Sequence, residues 1–261
     1  MSGIAIVPRR VGVIFRHNLR LLLGDPSPVV VFICAPLLVM AVFRSTQRTV
    51  LIAQGYPRAN GAEQVVPGIT TMFAFFWPAF IGRTFFAEHG WGSWQRLQAS
   101  SASAGDILLG KILPGLVVAF VQITGLFALT ALLFDLHSKG QVLLLLVIAV
   151  TLAACVLALT LALVALLRTM LQMEAASTLL MITFASLGGS LVRVKALPDW
   201  AKSVSPFTPS HWATKAAEDV ILKGKGLSTV LPSAGVLLGF TALFTVIALV
   251  RFRLNDVKAI A

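Results

Sequence analysis

The chain has 261 residues, of which 57% are hydrophobic and 12% charged, with a formal net charge of +11. Soluble domains carry about 25% charged residues, so a water-facing surface cannot be built from this composition; nor does the charge point to nucleic acid, because Lys and Arg are scattered at the ends of apolar stretches and form no run. Several of those stretches approach the ~20 residues a helix needs to cross a hydrocarbon core of about 30 Å, so the bilayer is the main solvent.

Residues 1–27 place Val11, Ile14, Phe15, Leu19 and Leu22 at three- and four-residue spacing, with Arg16 and Arg20 on another face. That pattern predicts an amphipathic helix lying along the membrane and ending near Gly24-Asp25-Pro26. No apolar stretch of signal-peptide length with a small-residue cleavage site follows the arginines, so no cleaved signal is expected.

A single all-α domain over 28–261 then holds six predicted spans, at about 28–46, 66–87, 107–134, 142–167, 175–192 and 227–250. Pro36 is tolerable inside the first span because neighbouring helices can serve the freed carbonyl. Residues 44–64 read as a polar link. The second span is rich in aromatic rings, and a polar segment from Glu88 to Asp106 follows it. Spans three and four are joined by Asp135 to Gly140, a length that suits antiparallel neighbours.

Residues 193–226 are too polar to cross. Pro198, Pro206 and Pro209 divide them, while Trp200, Phe207 and Trp212 give the pieces an apolar side, which predicts a re-entrant pair of short helices at the outer leaflet. In span six, Gly235 and Gly239 form a GxxxG spacing, read here as ordinary packing within the chain. Lys and Arg totals on the two sides nearly balance, and weighting by closeness to the spans places both termini on the cytoplasmic side. Cys34 and Cys155 both lie in apolar stretches and read as small buried side chains.

Few groups suggest chemistry. His17, His89, His137 and His211 lie in different segments, none at metal spacing or beside a plausible Ser and Asp. Gly105-Asp-Ile-Leu-Leu-Gly110-Lys111 imitates a P-loop, but Ile112 stands where a magnesium-binding hydroxyl is needed and no strand precedes it. Arg83 can extend to the interface or pair with Glu88. On the second span, Phe73, Phe76, Trp77 and Phe80 share a helical face that could guide an apolar cargo, with lipid contact or packing as the plainer role. Gln122, with Thr124, and Thr183, with Ser186, are polar candidates along the same path, as are Thr70 and Thr71; each could equally bond between helices or back to its own backbone. No pair of mid-membrane acids or histidines suggests an ion relay.

Between spans two and three, Trp91, Trp94 and Leu97 recur at helical spacing, as in a short amphipathic helix resting on a membrane or in a partner's groove. Glu88, Gly92-Ser93, Arg96-Leu97 and Gly110-Lys111 together resemble the cytoplasmic loop of ABC type 2 exporter permeases, particularly those of the daunorubicin-resistance kind. Val66-Pro67-Gly68 and the segment from Leu197 to Asp219 extend the resemblance over nearly the whole chain. The chain departs from the family at Gly90, at Gln95 and at Ser100-Ser101-Ala102-Ser103.

The resemblance implies a coupling helix at about Glu88 to Ala99, with Glu88, Gly92, Trp94, Arg96 and Leu97 contacting a separate cytoplasmic ATP-binding cassette ATPase. That partner, not this chain, would hold ATP and magnesium, so the chain is expected to be neither an enzyme nor a cofactor binder. A second copy or a homologous permease would complete the unit, in contact with membrane lipids and no nucleic acid. The expected cargo is a hydrophobic or amphipathic molecule such as a drug, antibiotic, lipid or glycolipid. An ion-gradient-driven carrier and an intramembrane lipid-modifying enzyme are the alternatives.

Overall fold

The computed structural model describes residues 8–24, 27, 30–90, 104–136 and 142–251. All regular structure among them is helical. Helix α1 (Pro8–Gly24) precedes a π turn (Val30–Cys34) that opens into α2 (Ala35–Ala53). Helices α3 (Ala62–Ala74) and α4 (Trp77–Gly90) follow, then α5 (Ala104–Leu133), α6 (Val142–Leu166) and α7 (Met170–Leu187). Two 3-10 turns, Val194–Ala196 and Ser205–Phe207, alternate with α8 (Asp199–Val204) and α9 (Pro209–Ile221), and α10 (Leu227–Arg251) ends the described chain.

Among the described residues, six stretches are long and apolar enough to span a bilayer: Val30–Ala53, Ala62–Ala87, Leu109–Leu133, Leu143–Leu166, Met170–Leu187 and Leu227–Arg251. The most apolar window of the fourth has a mean hydropathy of 2.9 and is 72% buried, and that of the second is 78% buried, against 17–33% for the other four. A helix apolar on every side belongs in the centre. Accordingly α6 packs against α4, α5, α9 and α10, while the first, third, fifth and sixth spans keep apolar faces outward, as lipid-facing helices must.

Three spans differ from the sequence expectation. The first span continues to Ala53, through residues taken as polar link, because its polar side chains find partners: Arg44 Nε donates to the Asn60 carbonyl at 3.3 Å and Gln47 Nε2 to the Leu191 carbonyl at 3.3 Å. The second span is two helices broken at Phe75 and Phe76, where Pro78 has no N–H for the Ala74 carbonyl. The fifth begins at Met170, not near 175, because Thr169 and Gln172 form a capping box: Thr169 Oγ1 accepts from the Gln172 N–H at 3.2 Å, and Gln172 Oε1 from the Thr169 N–H at 3.3 Å. It also ends at Leu187, short of the expected 192.

Other expectations shift in kind. Cys155 is buried as expected, but Cys34 is exposed. A Cβ added at Gly235 or Gly239 meets no atom within 4 Å, so the GxxxG face of α10 is open and does not serve packing within the chain. Close approach happens elsewhere. At Gly68 an added Cβ would lie 2.0 Å from the Ser190 carbonyl oxygen, and at Gly110 it would lie 2.6 Å from Ile14 Cβ. The first glycine seats α3 against the turn after α7; the second lets α1 lie directly on α5.

Candidate functional site

Both ends of the bundle and its interior carry polar structure. At the α1 end, α4 runs to Gly90 and α5 starts at Ala104. Gly92, Trp94, Arg96 and Leu97 fall in the intervening link, outside the described residues, and Glu88 lies in the last turn of α4. The helices on either side of the link are tied together. Lys111 is buried with its Nζ 4.6 Å from the centre of the Phe85 ring, joining α5 to α4. Gly105 to Lys111 is thus part of a continuous helix with its lysine turned into the protein, which disposes of the P-loop likeness.

The Glu88 side chain lies outside the described residues, and Arg83 Nη2 meets Glu174 Oε1 at 2.9 Å, joining α4 to α7. With the two side chains 60% and 39% exposed, this pair is screened by solvent. A double-mutant cycle with Arg83→Gln and Glu174→Gln, read by unfolding in detergent, is expected to give a coupling energy of about 0.2–1 kcal/mol; a value above about 3 kcal/mol would mean a desolvated pair.

Inside the bundle, the aromatic face predicted for cargo is partly folded inward. Pro36 cannot donate to the Phe32 carbonyl four residues back. Gln122 Nε2 on α5 supplies that bond at 3.1 Å, and its Oε1 accepts from Trp77 Nε1 at 3.2 Å. The Trp77 ring stacks on Phe32 with centroids 4.4 Å apart, and Phe80 stands edge-on to both at 5.8 and 5.5 Å. Phe73 pairs with Phe76, their centroids 5.5 Å apart. Phe73, Trp77 and Gln122 are buried, whereas Phe76 and Phe80 are half-buried. Thr183 is half-buried on α7, a helix that meets the α3–α4 break through Phe184, edge-on to Phe75 at 5.1 Å. Thr124 bonds back to the Phe120 carbonyl at 2.8 Å.

The opposite end is a polar cap, most of whose components the sequence did not single out. Asn60 Nδ2 donates to the Phe134 and Asp135 carbonyls at 3.0 and 2.9 Å, and the buried Glu63 carboxylate accepts from the Asn60 and Gly61 N–H groups, each at 3.1 Å. Arg193 reaches back to Gln54 and Gln64. Ser205 Oγ and His211 Nδ1 lie 2.7 Å apart, so a histidine does sit beside a serine after all. That serine is fully buried, beyond the reach of a substrate carbonyl. Burial, and after it the charge of Lys215, lowers the His211 pKa. The signal for this cap in the sequence is the spaced basic residues Arg193, Lys195 and Lys202 after Gly188-Gly189, set among prolines and tryptophans.

The family described as ABC-2 type transporter matches residues 9–222. The linearmycin resistance permease protein LnrN of Bacillus subtilis (strain 168) is 24% identical over 152 residues, 58% of this chain and 39% of that protein. The ABC transporter G family member 20 of Dictyostelium discoideum is 27% identical over 176 residues, 66% of this chain and 24% of that protein. The chain thus matches well under half the length of either relative.

Proposed function

Because the chain belongs to the ABC-2 type transporter family, we propose that it is the permease subunit of an ATP-driven exporter, powered by a separate ATP-binding cassette protein that docks on the segment from Glu88 to Ala99. The observation that carries this is the position of residues 91–103 between two tied helices. Lys111 on Phe85 joins α5 to α4, and Arg83 with Glu174 joins α4 to α7, so a push on the link would be delivered to three spans at once. In this arrangement ATP and magnesium belong to the partner.

Six crossings return the chain to the side on which it began, so both termini lie with the link in the cytoplasm and α1 rests at that interface. The cargo is a hydrophobic or amphipathic compound of the drug or antibiotic kind, in keeping with the resistance permease among the relatives. It passes between this chain and a second permease, either a copy or a homologue, along surfaces that include Phe76, Phe80 and Thr183. Trp77, Phe73 and Gln122 hold the wall from behind.

The test is purification of the chain from its native membrane, followed by transport in vesicles. An ATPase should travel with it, and cargo movement should stop when ATP is withheld. Cargo uptake driven by an ion gradient in vesicles without ATP would support the carrier reading instead.

A further inference from the structure

The cap opposite α1 encloses a cleft of about 550 Å³, bounded by Gln54 and Tyr56, by the Gly188-Gly189 turn and by α9. Its charged lining is Arg193, Lys195, Lys215 and Lys223 against Glu218. Lys223 is committed to the buried Asp219, which Lys225 also meets at 3.3 Å. Lys195 and Lys215 meet no acid within 4.0 Å among the described residues, although Lys215 Nζ stands 4.9 Å from the centre of the Trp212 ring.

Arg193 is oriented by its own bonds. Its Nε and Nη1 are taken by Gln64 and Gln54, whereas Nη2 is buried without a hydrogen-bond partner among the described residues. A guanidinium fixed through two nitrogens with a further donor unfilled is ready for an oxyanion, and the fixing has already removed most of its rotamer entropy. The opposing carboxylate is weak competition. Burial raises the Glu218 pKa against the opposing pull of Arg193.

Beside the cleft the surface turns apolar. Trp200 and Phe207 are 67% and 78% exposed, on α8 and the following turn. That turn is fastened to the cleft wall by Ser205 on His211 and by Trp212 Nε1 donating to the Pro206 carbonyl at 2.8 Å. Cations adjoining outward-facing aromatic rings match the level in a bilayer where phosphates meet acyl chains.

We propose that this cleft binds a phosphate-bearing anion, the headgroup of an anionic phospholipid, with Arg193, Lys195 and Lys215 facing the phosphate and Trp200 and Phe207 lying among the acyl chains. The site is independent of how the permease is powered.

The test uses the purified full chain in an uncharged detergent, titrated calorimetrically with dihexanoyl phosphatidylglycerol, with the matching phosphatidylcholine and with inorganic phosphate. Phosphatidylglycerol should bind more tightly than phosphatidylcholine. The Lys195→Gln/Lys215→Gln variant, which removes two exposed side chains without touching the Arg193 bonds, should weaken it by on the order of tenfold or more at low salt, roughly fivefold per lysine. Glu218→Gln should tighten it, and Lys202→Gln, outside the cleft, should leave it unchanged. Failure of inorganic phosphate to compete supports the lipid as ligand; full competition supports the site with a free phosphate as its occupant. Equal binding of the two lipids, or a loss in Lys202→Gln as large as in the double variant, would overturn the proposal.

Discussion

Replacing Trp94, Arg96 and Leu97 together by alanine is expected to cut ATP-dependent export at least about tenfold while leaving expression and the thermal midpoint of the purified permease at wild-type values. Aromatic and arginine side chains dominate the energy of docked surfaces at about 1–2 kcal/mol or more each, and a loss of 1.4 kcal/mol is tenfold in an association constant. Removing two such anchors and the leucine beside them should release the ATPase or leave it turning over without cargo. Complex yield, ATP hydrolysis and vesicle export, measured on the same preparation, separate these outcomes. Wild-type values in all three would remove the docking role from this segment.

The second large effect is expected at Gln122, buried inside the bundle. Its side chain serves the Phe32 carbonyl that Pro36 cannot, and the Trp77 N–H, both in surroundings without water. Gln122→Leu keeps the volume but strands both groups. Each stranded buried group costs about 1–3 kcal/mol, and measured interhelical bonds in membranes are worth about 0.6–2 kcal/mol. A total of about 2–4 kcal/mol is therefore expected. Trp77→Phe keeps an aromatic ring against Phe32 and removes only one donor, so it should cost about half as much. Denaturant unfolding in mild detergent reads both. If Gln122→Leu falls within about 0.5 kcal/mol of wild type, the three spans are not locked through this residue.

The spans themselves were legible because hydropathy needs only composition, and six apolar stretches survive at nearly the expected places. Their ends were harder. The Thr169-x-x-Gln172 start signal was present in the sequence, as was Pro78 at the break in span two, and both are local rules that could have been applied. The extension of α2 to Ala53 was not local, because Arg44 and Gln47 become satisfied only when Asn60 and Leu191 arrive from other segments.

The candidate site divides in the same way. Helical spacing put Phe73, Phe76, Trp77 and Phe80 together, but it could not say that Gln122 and Phe32 close over Trp77 from two other helices. The cationic cleft was hidden because Arg193, Lys195 and Lys215 read as an ordinary polar link. They become a site only after α9 folds under the Gly188-Gly189 turn.

Everything mechanical in this account depends on which side of the membrane receives the link after α4. A single cysteine at position 94, introduced as Trp94→Cys with Cys34 and Cys155 replaced by serine and alanine, can be probed with a membrane-impermeant maleimide. In intact cells it should stay unlabelled, and in inside-out vesicles it should react fully. Rapid labelling from outside intact cells would place the segment beyond the reach of a cytoplasmic ATPase and contradict the proposed coupling.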